Sequence, residues 1–366
     1  MIDQQTNNEL PPFISVIMPV RNEGAVIADV LRRLVDQSYP MERFEIIVVD
    51  GISSDNTREI VSEIREHSGC IRLLGNPFIW SSAARNIGIR AAKGDHVVIV
   101  DGHCEIPDDQ FLQNLADAFR TSNADVIGRP QPLSISNATF IQKTIAYARS
   151  SWLGHHPDSY IYSEGEQFAP AISMGAAYRR SVFDKIGFFD ESFDACEDVD
   201  LNHRVDMAGL RCFFSGKTKV NYHPRRSLCG LFSQLTRYGR GRIRLFRKHG
   251  NVGSLKSMVP AIFVAGLIVG PFASLFHPML MQAFGATMLF YFALVMLATI
   301  NKCVEARDWS CCLLIPVVIL TIHISSGWGM LCELLFGNSA QPAFVSGDAS
   351  EFESDDSFDE CMANQR

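Results

Sequence analysis

Phe13-Ile14-Ser15-Val16-Ile17-Met18-Pro19, followed by Val20-Arg21-Asn22-Glu23-Gly24 and then by residues 25–37, is the stretch that decides the fold. The first seven residues are an apolar run of strand length broken by Ser15. After Val20 the next residues, Arg21-Asn22-Glu23, are polar and lead to Gly24. In 25–37 the apolar positions 27, 30, 31 and 34 recur at helical spacing, so the whole predicts a strand, a loop and an amphipathic helix. The unit then repeats. Residues 44–50 form a second buried strand, and Asp55-Asn56-Thr57 caps a helix running to about His67. A short strand at 71–74, a helix at 81–92 and a fourth strand at 96–101 follow. Strands alternating with helices predict a mainly parallel α/β sheet, in which ligands collect at the carboxyl ends of strands. Asp50 and Asp101 both lie at such ends.

Outward from this core the pattern thins. Gly128-Arg129-Pro130-Gln131-Pro132 reads as an irregular link, 152–167 as a polar, aromatic loop suited to face an acceptor, 169–178 as a strand and 179–186 as a short helix. Glu197-Asp198 then follows the turn Gly187-Phe188-Phe189-Asp190-Glu191 and precedes a helix at 201–208 that Gly209 ends. A carboxylate in that setting could serve as a general base or cap the helix. Val100-Asp101-Gly102-His103 offers an oxygen and an imidazole to a metal.

Beyond Asn251 the chain turns apolar. Residues 258–276, 278–300 and 311–336 are apolar stretches with only Glu333 charged, and each approaches the roughly 20 residues that span a bilayer. Three spans are the simplest count, although Pro316, His323, Gly327 and Gly329 interrupt the third and leave a re-entrant segment open. Nine Lys or Arg residues between Arg225 and Lys256 precede the first span and place the amino-terminal domain in the cytoplasm. The net charge of −7 hides this asymmetry, since seven carboxylates crowd into 348–360. The basic cluster abuts apolar sequence and carries no nucleic-acid motif, which excludes nucleic acid as a partner. Ten cysteines without a C-x-x-C pair fit a reduced setting better than a disulfide or zinc framework. The organisation is therefore a polar tail (1–12), an α/β domain (13–224), a basic juxtamembrane segment (225–257), a transmembrane region (258–337) and an acidic, disordered tail (338–366).

Five ordered blocks carry a resemblance: Ser15 to Glu23, Val49-Asp50 with Ser53-Ser54-Asp55-Asn56-Thr57, Ala84-Arg85-Asn86-Ile87-Gly88, Val100-Asp101-Gly102-His103, and Glu197-Asp198. The chain resembles inverting family 2 glycosyltransferases of the GT-A fold. With its Arg-rich link and apolar helices it is similar to the membrane enzymes that extend succinoglycan-type exopolysaccharide repeats on a lipid carrier. The resemblance implies a nucleotide-sugar donor, a UDP-sugar, held by Pro19, Arg21, Glu23, Asp50, Arg85 and Asn86. The family pattern has two aspartates where this chain has Asp50-Gly51, which puts one base contact in doubt. Asp101-Gly102-His103 stands at the D-x-D position, so a divalent metal (Mn2+ or Mg2+) is implied at Asp101 and His103, with Asp101 also meeting the diphosphate. Glu197-Asp198 matches the E-D pair whose aspartate is the base. Gln234-Leu-Thr-Arg237-Tyr238 resembles the Q-x-x-R-W element of polysaccharide synthases, with Tyr for Trp. Its alternative is an amphipathic helix whose Arg240, Arg242, Arg244, Arg247 and Lys248 lie on anionic headgroups.

The resulting expectation is transfer of a sugar to a lipid-linked saccharide at a membrane, in company with other polysaccharide-assembly proteins. A polyprenyl-phosphate glycosyltransferase or a processive synthase keeps the chemistry and changes the acceptor. A non-catalytic subunit that binds nucleotide-sugar is the rival of another class, and intact Asp101 and Asp198 speak against it. A dinucleotide oxidoreductase is disfavoured because no G-x-G-x-x-G follows the first strand.

Overall fold

The parity of the first strand builds the two-sided core. The computed structural model describes residues 10–155, 159–250 and 255–337. In chain order the elements are β1 (Ile14–Val20), α1 (Ile27–Val35), β2 (Phe44–Asp50), α2 (Thr57–Glu66), β3 (Ile71–Gly75), α3 (Ser81–Ala91), β4 (His96–Ile99), β5 (Cys104–Glu105), α4 (Phe111–Ser122), β6 (Val126–Gly128) and α5 (Phe140–Ser150). There follow β7 (Glu166–Phe168), β8 (Gly175–Arg179), α6 (Arg180–Ile186), α7 (Glu197–Met207), β9 (Cys212–Ser215), β10 (Asn221–Tyr222), α8 (Leu228–His249), α9 (Val259–Ser274), α10 (Pro278–Ala306) and α11 (Ile315–Phe336). Ile14, Val16 and Met18 point to one face of the sheet, where they pack with Ile27, Leu31 and Leu34 of α1 and with Phe111 and Phe119 of α4. Ile17 points to the other, with Ala84 and Ile89 of α3 and Leu201 and Val205 of α7. All four apolar positions expected on α1 are buried.

Eight strands form one sheet in the order β3-β2-β1-β4-β8-β6-β9-β7. The quartet β3-β2-β1-β4 is parallel, as expected, and its register sets Val20 beside Asp50 and Ile17 beside Ile99. The sheet as a whole is mixed, because β8 runs antiparallel to both β4 and β6. The strand expected over 169–178 is shortened to β8. Ala171–Ser173 instead forms a 3-10 turn, and the Asp206 carboxylate of α7 accepts from the Ala171 and Ile172 amides, which removes them from any ladder.

In the carboxy-terminal region α8 and α11 touch backbone to backbone. A Cβ on Gly239 would stand 2.2 Å from the Ser326 carbonyl, and one on Gly329 would stand 2.0 Å from that of Thr236. Two helices, α10 with 29 residues and α11 with 22, are long and apolar enough to cross a membrane. The first of the three expected stretches forms the shorter apolar helix α9, whose 16 residues, at about 1.5 Å each, reach less than a hydrocarbon core of about 30 Å. The interrupted third stretch is a continuous helix. Pro316 sits in its first turn, where a missing amide costs no bond, and both His323 ring nitrogens are engaged, with Tyr291 Oη at 2.8 Å and the Leu153 carbonyl at 2.9 Å. Leu289 and Phe290 of α10 are 71% and 66% exposed, an apolar surface that calls for lipid or protein cover. The nine cysteines among the described residues are all free thiols. The polar tail over 1–9, His156, residues 251–254 and the acidic tail with Cys361 lie outside the described residues.

Candidate active site

Two parallel strand ends make the first corner. Because Val20 pairs with Asp50, the loops after β1 and β2 lie side by side and bond across the gap. Asn22, in the left-handed region at φ 56°, donates its amide to Ser53 Oγ at 2.9 Å and accepts from the Ser54 amide at 2.8 Å. The Glu23 amide donates to Thr57 Oγ1 at 2.8 Å. Asp50 is 1% exposed, and Ser53 Oγ and its amide donate to the two carboxylate oxygens at 2.5 and 3.1 Å. The Ser53-Ser54-Asp55-Asn56-Thr57 block is thus the clasp of this corner. Pro19 is buried within β1, beside Val49. Val100 donates to Ile17 on the β4 side, and β4 has ended by the level of Pro19, so the missing proline amide costs the ladder little. Arg21 is exposed on the loop.

The second corner forms where β4 stops. Asp101 accepts from Tyr222 Oη at 2.7 Å on Oδ2, and Arg85 Nη2 lies 3.5 Å from Oδ1. Burial pushes this carboxyl up, but Arg85, His103 and Tyr222 together hold it below the ordinary aspartate range. His103 Nδ1 lies 3.0 Å from Glu23 Oε1. Desolvation lowers that imidazole, whereas the Glu23 bond and the Asp101 charge more than offset it and raise it above 6.5. Glu23, Asp101 and His103 therefore share one corner. Among the described residues no group of three His, Cys, Asp or Glu side chains is placed to hold a metal alone. Tyr222 was not expected in the site. It arrives on the two-residue strand β10, which pairs with β5 just after Asp101, and no spacing in the sequence links the two.

Arg85 joins these corners to the third. Its Nη1 donates to Glu197 Oε1 at 2.8 Å, and Ser81 Oγ donates to the same oxygen at 2.7 Å. Glu197 is 6% exposed. Burial pushes its carboxyl above the ordinary range, with Arg85 opposing and Asp198 reinforcing that push. Glu197 and Asp198 themselves occupy the first turn of α7, the helix expected to follow them. Asp198 is exposed, and its Oδ1 accepts from the Val199 amide at 2.9 Å. Asp200 is fully buried among Arg204, Lys248 and His249 and serves structure. Asn86 is 2% exposed and is occupied with the 189–191 loop: it exchanges hydrogen bonds with the Phe189 backbone and donates to Glu191 at 2.7 Å.

The helix α8 lies against the loop that enters α7. Cys196, at φ 67°, donates Sγ to the Tyr238 carbonyl at 3.6 Å, and Gln234 donates to Tyr238 Oη at 3.1 Å. Tyr238 and Arg237 are exposed. The basic residues after them divide: Arg244, Arg247 and Lys248 make internal ion pairs instead of facing headgroups.

With this geometry in view, two comparisons agree. The profile described as glycosyl transferase family 2 matches residues 15–187. The succinoglycan biosynthesis protein ExoA of Rhizobium meliloti is 32% identical over 247 residues, which cover 67% of this chain and 73% of that protein. The chain belongs to glycosyl transferase family 2. This family 2 glycosyltransferase is also 24% identical to the dolichyl N-acetyl-alpha-D-glucosaminyl phosphate 3-beta-D-2,3-diacetamido-2,3-dideoxy-beta-D-glucuronosyltransferase of Methanococcus voltae, over 89% of this chain and 98% of that one. Its fold matches the mannosyltransferase PcManGT of Pyrobaculum calidifontis, solved in complex with GDP-Man and Mn2+, with a TM-score of 0.54 and 19% identity over 89% and 88% of the two chains. It is an enzyme of glycan biosynthesis with a GT-A-like catalytic domain.

Proposed function

We propose that this glycosyltransferase is anchored in a membrane with its catalytic domain on the cytoplasmic side, and moves one sugar from a nucleotide donor, a UDP-sugar, to a lipid-linked saccharide with inversion. The observation that supports the reading is the Arg85 guanidinium, which lies 2.8 Å from Glu197 and 3.5 Å from Asp101 and so joins the start of α7 to the end of β4. Asp198, exposed beside Glu197, takes the proton of the acceptor hydroxyl. The acceptor oxygen bonds to the anomeric carbon as the carbon–oxygen bond to the diphosphate breaks, and the nucleoside diphosphate leaves with the electron pair. A positioned base of this kind contributes about a hundredfold to ten-thousandfold.

Asp50 receives the nucleotide base and Arg21, Glu23 and Arg85 line the path to the phosphates, while Asn86 supports the site from behind. The residues at Asp101 fit a divalent cation. The carboxylate is held ionised, and the Glu23 bond to His103 Nδ1 leaves Nε2 as the ring atom available to a ligand. Asp101 and His103 would hold Mn2+ or Mg2+ there, and the cation would neutralise charge on the leaving group. Membrane anchoring is supported by α10 and α11 and by the basic residues ahead of them. An acceptor carried on lipid is supported by Gln234, Arg237 and Tyr238, which border the base loop on the helix leading to those spans.

The test is transfer by the full chain in detergent across a panel of nucleotide-sugars, with and without Mn2+ or Mg2+ and with lipid extract as acceptor. Metal-dependent turnover of one donor, lost in Asp198→Asn, is the expected result. Nucleotide binding without turnover would instead support the non-catalytic subunit.

A further inference from the structure

We propose that Arg244 is a positioning residue for the transfer reaction, through which the apolar helix α11 holds the base helix α7 in place. The proposal rests on the reading of Asp198 as the base. Arg244 is the middle of a three-part ionic link: its Nε and Nη2 donate to Glu333 Oε1 and Oε2 at 3.0 and 3.3 Å, and its Nη1 donates to Asp194 Oδ1 at 2.5 Å. Asp194 stands just ahead of Glu197 in the loop that enters α7. One guanidinium thus spans from the end of a membrane-length helix to the catalytic loop, and only a planar fork with several donors holds two carboxylates in this way.

Glu333 is an expensive residue where it stands. It is 3% exposed, it lies on an apolar helix, and it sits in the last turn, where the helix dipole disfavours negative charge. Arg247 offsets part of that cost by donating to the Glu333 carbonyl at 2.8 Å. Packing alone would be served as well by apolar side chains, since buried ion pairs contribute little net stability over them. A charge kept there against local preference points to a task of orientation.

The loop at the far end of the link needs holding. Cys196 enters α7 in the left-handed region at φ 67°, a conformation that a side chain other than glycine keeps only when its surroundings impose it. Those surroundings are α8. A Cβ on Gly241, one turn before Arg244, would stand 2.6 Å from the Ala195 carbonyl and 2.8 Å from Cys196 Sγ. The glycine contact and the Arg244–Asp194 pair grip the same short loop from one helix. Through Glu333 that helix is fixed in turn to α11.

The experiment compares Glu333→Gln, Asp194→Asn and Arg244→Lys with Asp198→Asn in the full chain reconstituted in nanodiscs, using the donor that the panel identifies. The expected result is a kcat lowered about tenfold in Glu333→Gln and Asp194→Asn and at least as much in Arg244→Lys, which keeps the charge but loses the fork, with donor KM and the affinities for UDP and GDP unchanged. A kcat within about twofold of the parent in all three, beside an inactive Asp198→Asn, would overturn the positioning role and leave the base reading intact. A matched loss of kcat, nucleotide affinity and melting temperature would also overturn it, in favour of a purely structural link. Should one variant fail to fold, the other two carry the same test. Turnover surviving in Asp198→Asn would remove the base, and the proposal with it.

Discussion

The corner proposed for the nucleotide and the corner proposed for the base are built by opposite means. The first is local: adjacent parallel strands end together, and their loops clasp through Asn22, Ser53 and Thr57, all within a short span of chain. The second is remote, since α7 is held by Arg85 from α3, by the Gly241 face of α8 and by Arg244, which reaches Asp194 on one side and Glu333 on the other. A site assembled locally keeps its shape when distant parts of the molecule change. A site assembled remotely reports on them. Donor binding is therefore expected to withstand changes in the apolar helices, and transfer is expected to respond to them.

The sharpest attack on this contrast is Arg85, which bridges Asp101 at the end of β4 and Glu197 on α7. Arg85→Met leaves the buried Glu197 uncompensated and should cost about 3–5 kcal/mol of stability, whereas Arg85→Met combined with Glu197→Gln should recover much of it; denaturant unfolding checks both. Acid should weaken the sheet beneath the nucleotide corner. His96 is buried against Phe119 with ring centroids 4.2 Å apart, and burial, then Arg179, brings its pKa down from 6.5 to about 4. The unfolded chain takes up that proton below 6.5 while the folded one does not. Stability is thus full above 6.5 and declines as the pH falls towards 4, by about 3 kcal/mol, and melting curves of His96→Leu should lack this decline.

Gly329→Ala sets a methyl 2.0 Å from the Thr236 carbonyl and should cost about 1–3 kcal/mol, lowering kcat with donor KM unchanged. An equal rise in donor KM would break the comparison. Tyr222→Phe removes the hydrogen bond that orients Asp101 and should weaken Mn2+ binding about tenfold in titrations with UDP present, with stability little altered.

Much of the fold was legible because its signals are short-range. The apolar parity of β1 and the spacing of positions 27, 30, 31 and 34 name both faces of the core, and the stop at Asp101 is visible as an apolar run meeting polar residues. Glu197, Asp198, Asp101 and His103 come from compact motifs. What escaped lies in pairings across long separations. Tyr222 meets Asp101 from 121 residues away, and a two-residue strand leaves no periodicity to detect. The antiparallel course of β8 is equally silent in sequence. The helix α5 could have been found, because Thr139 and Gln142 form a capping box with a recognisable T-x-x-Q spacing. The length of α9 escaped because hydropathy continues through Leu275 and Phe276, where the helix has already ended.

The link between Arg244 and Glu333 joins residues 89 positions apart, with two whole helices made in between. During synthesis the catalytic domain emerges first, but the groove on α8 that receives α11 stays uncovered until α11 leaves the ribosome. The order of translation thereby defers completion of the contacts that hold α7 until α11 has been made. A chain stopped before that point would hold a formed nucleotide corner beside an unfinished base.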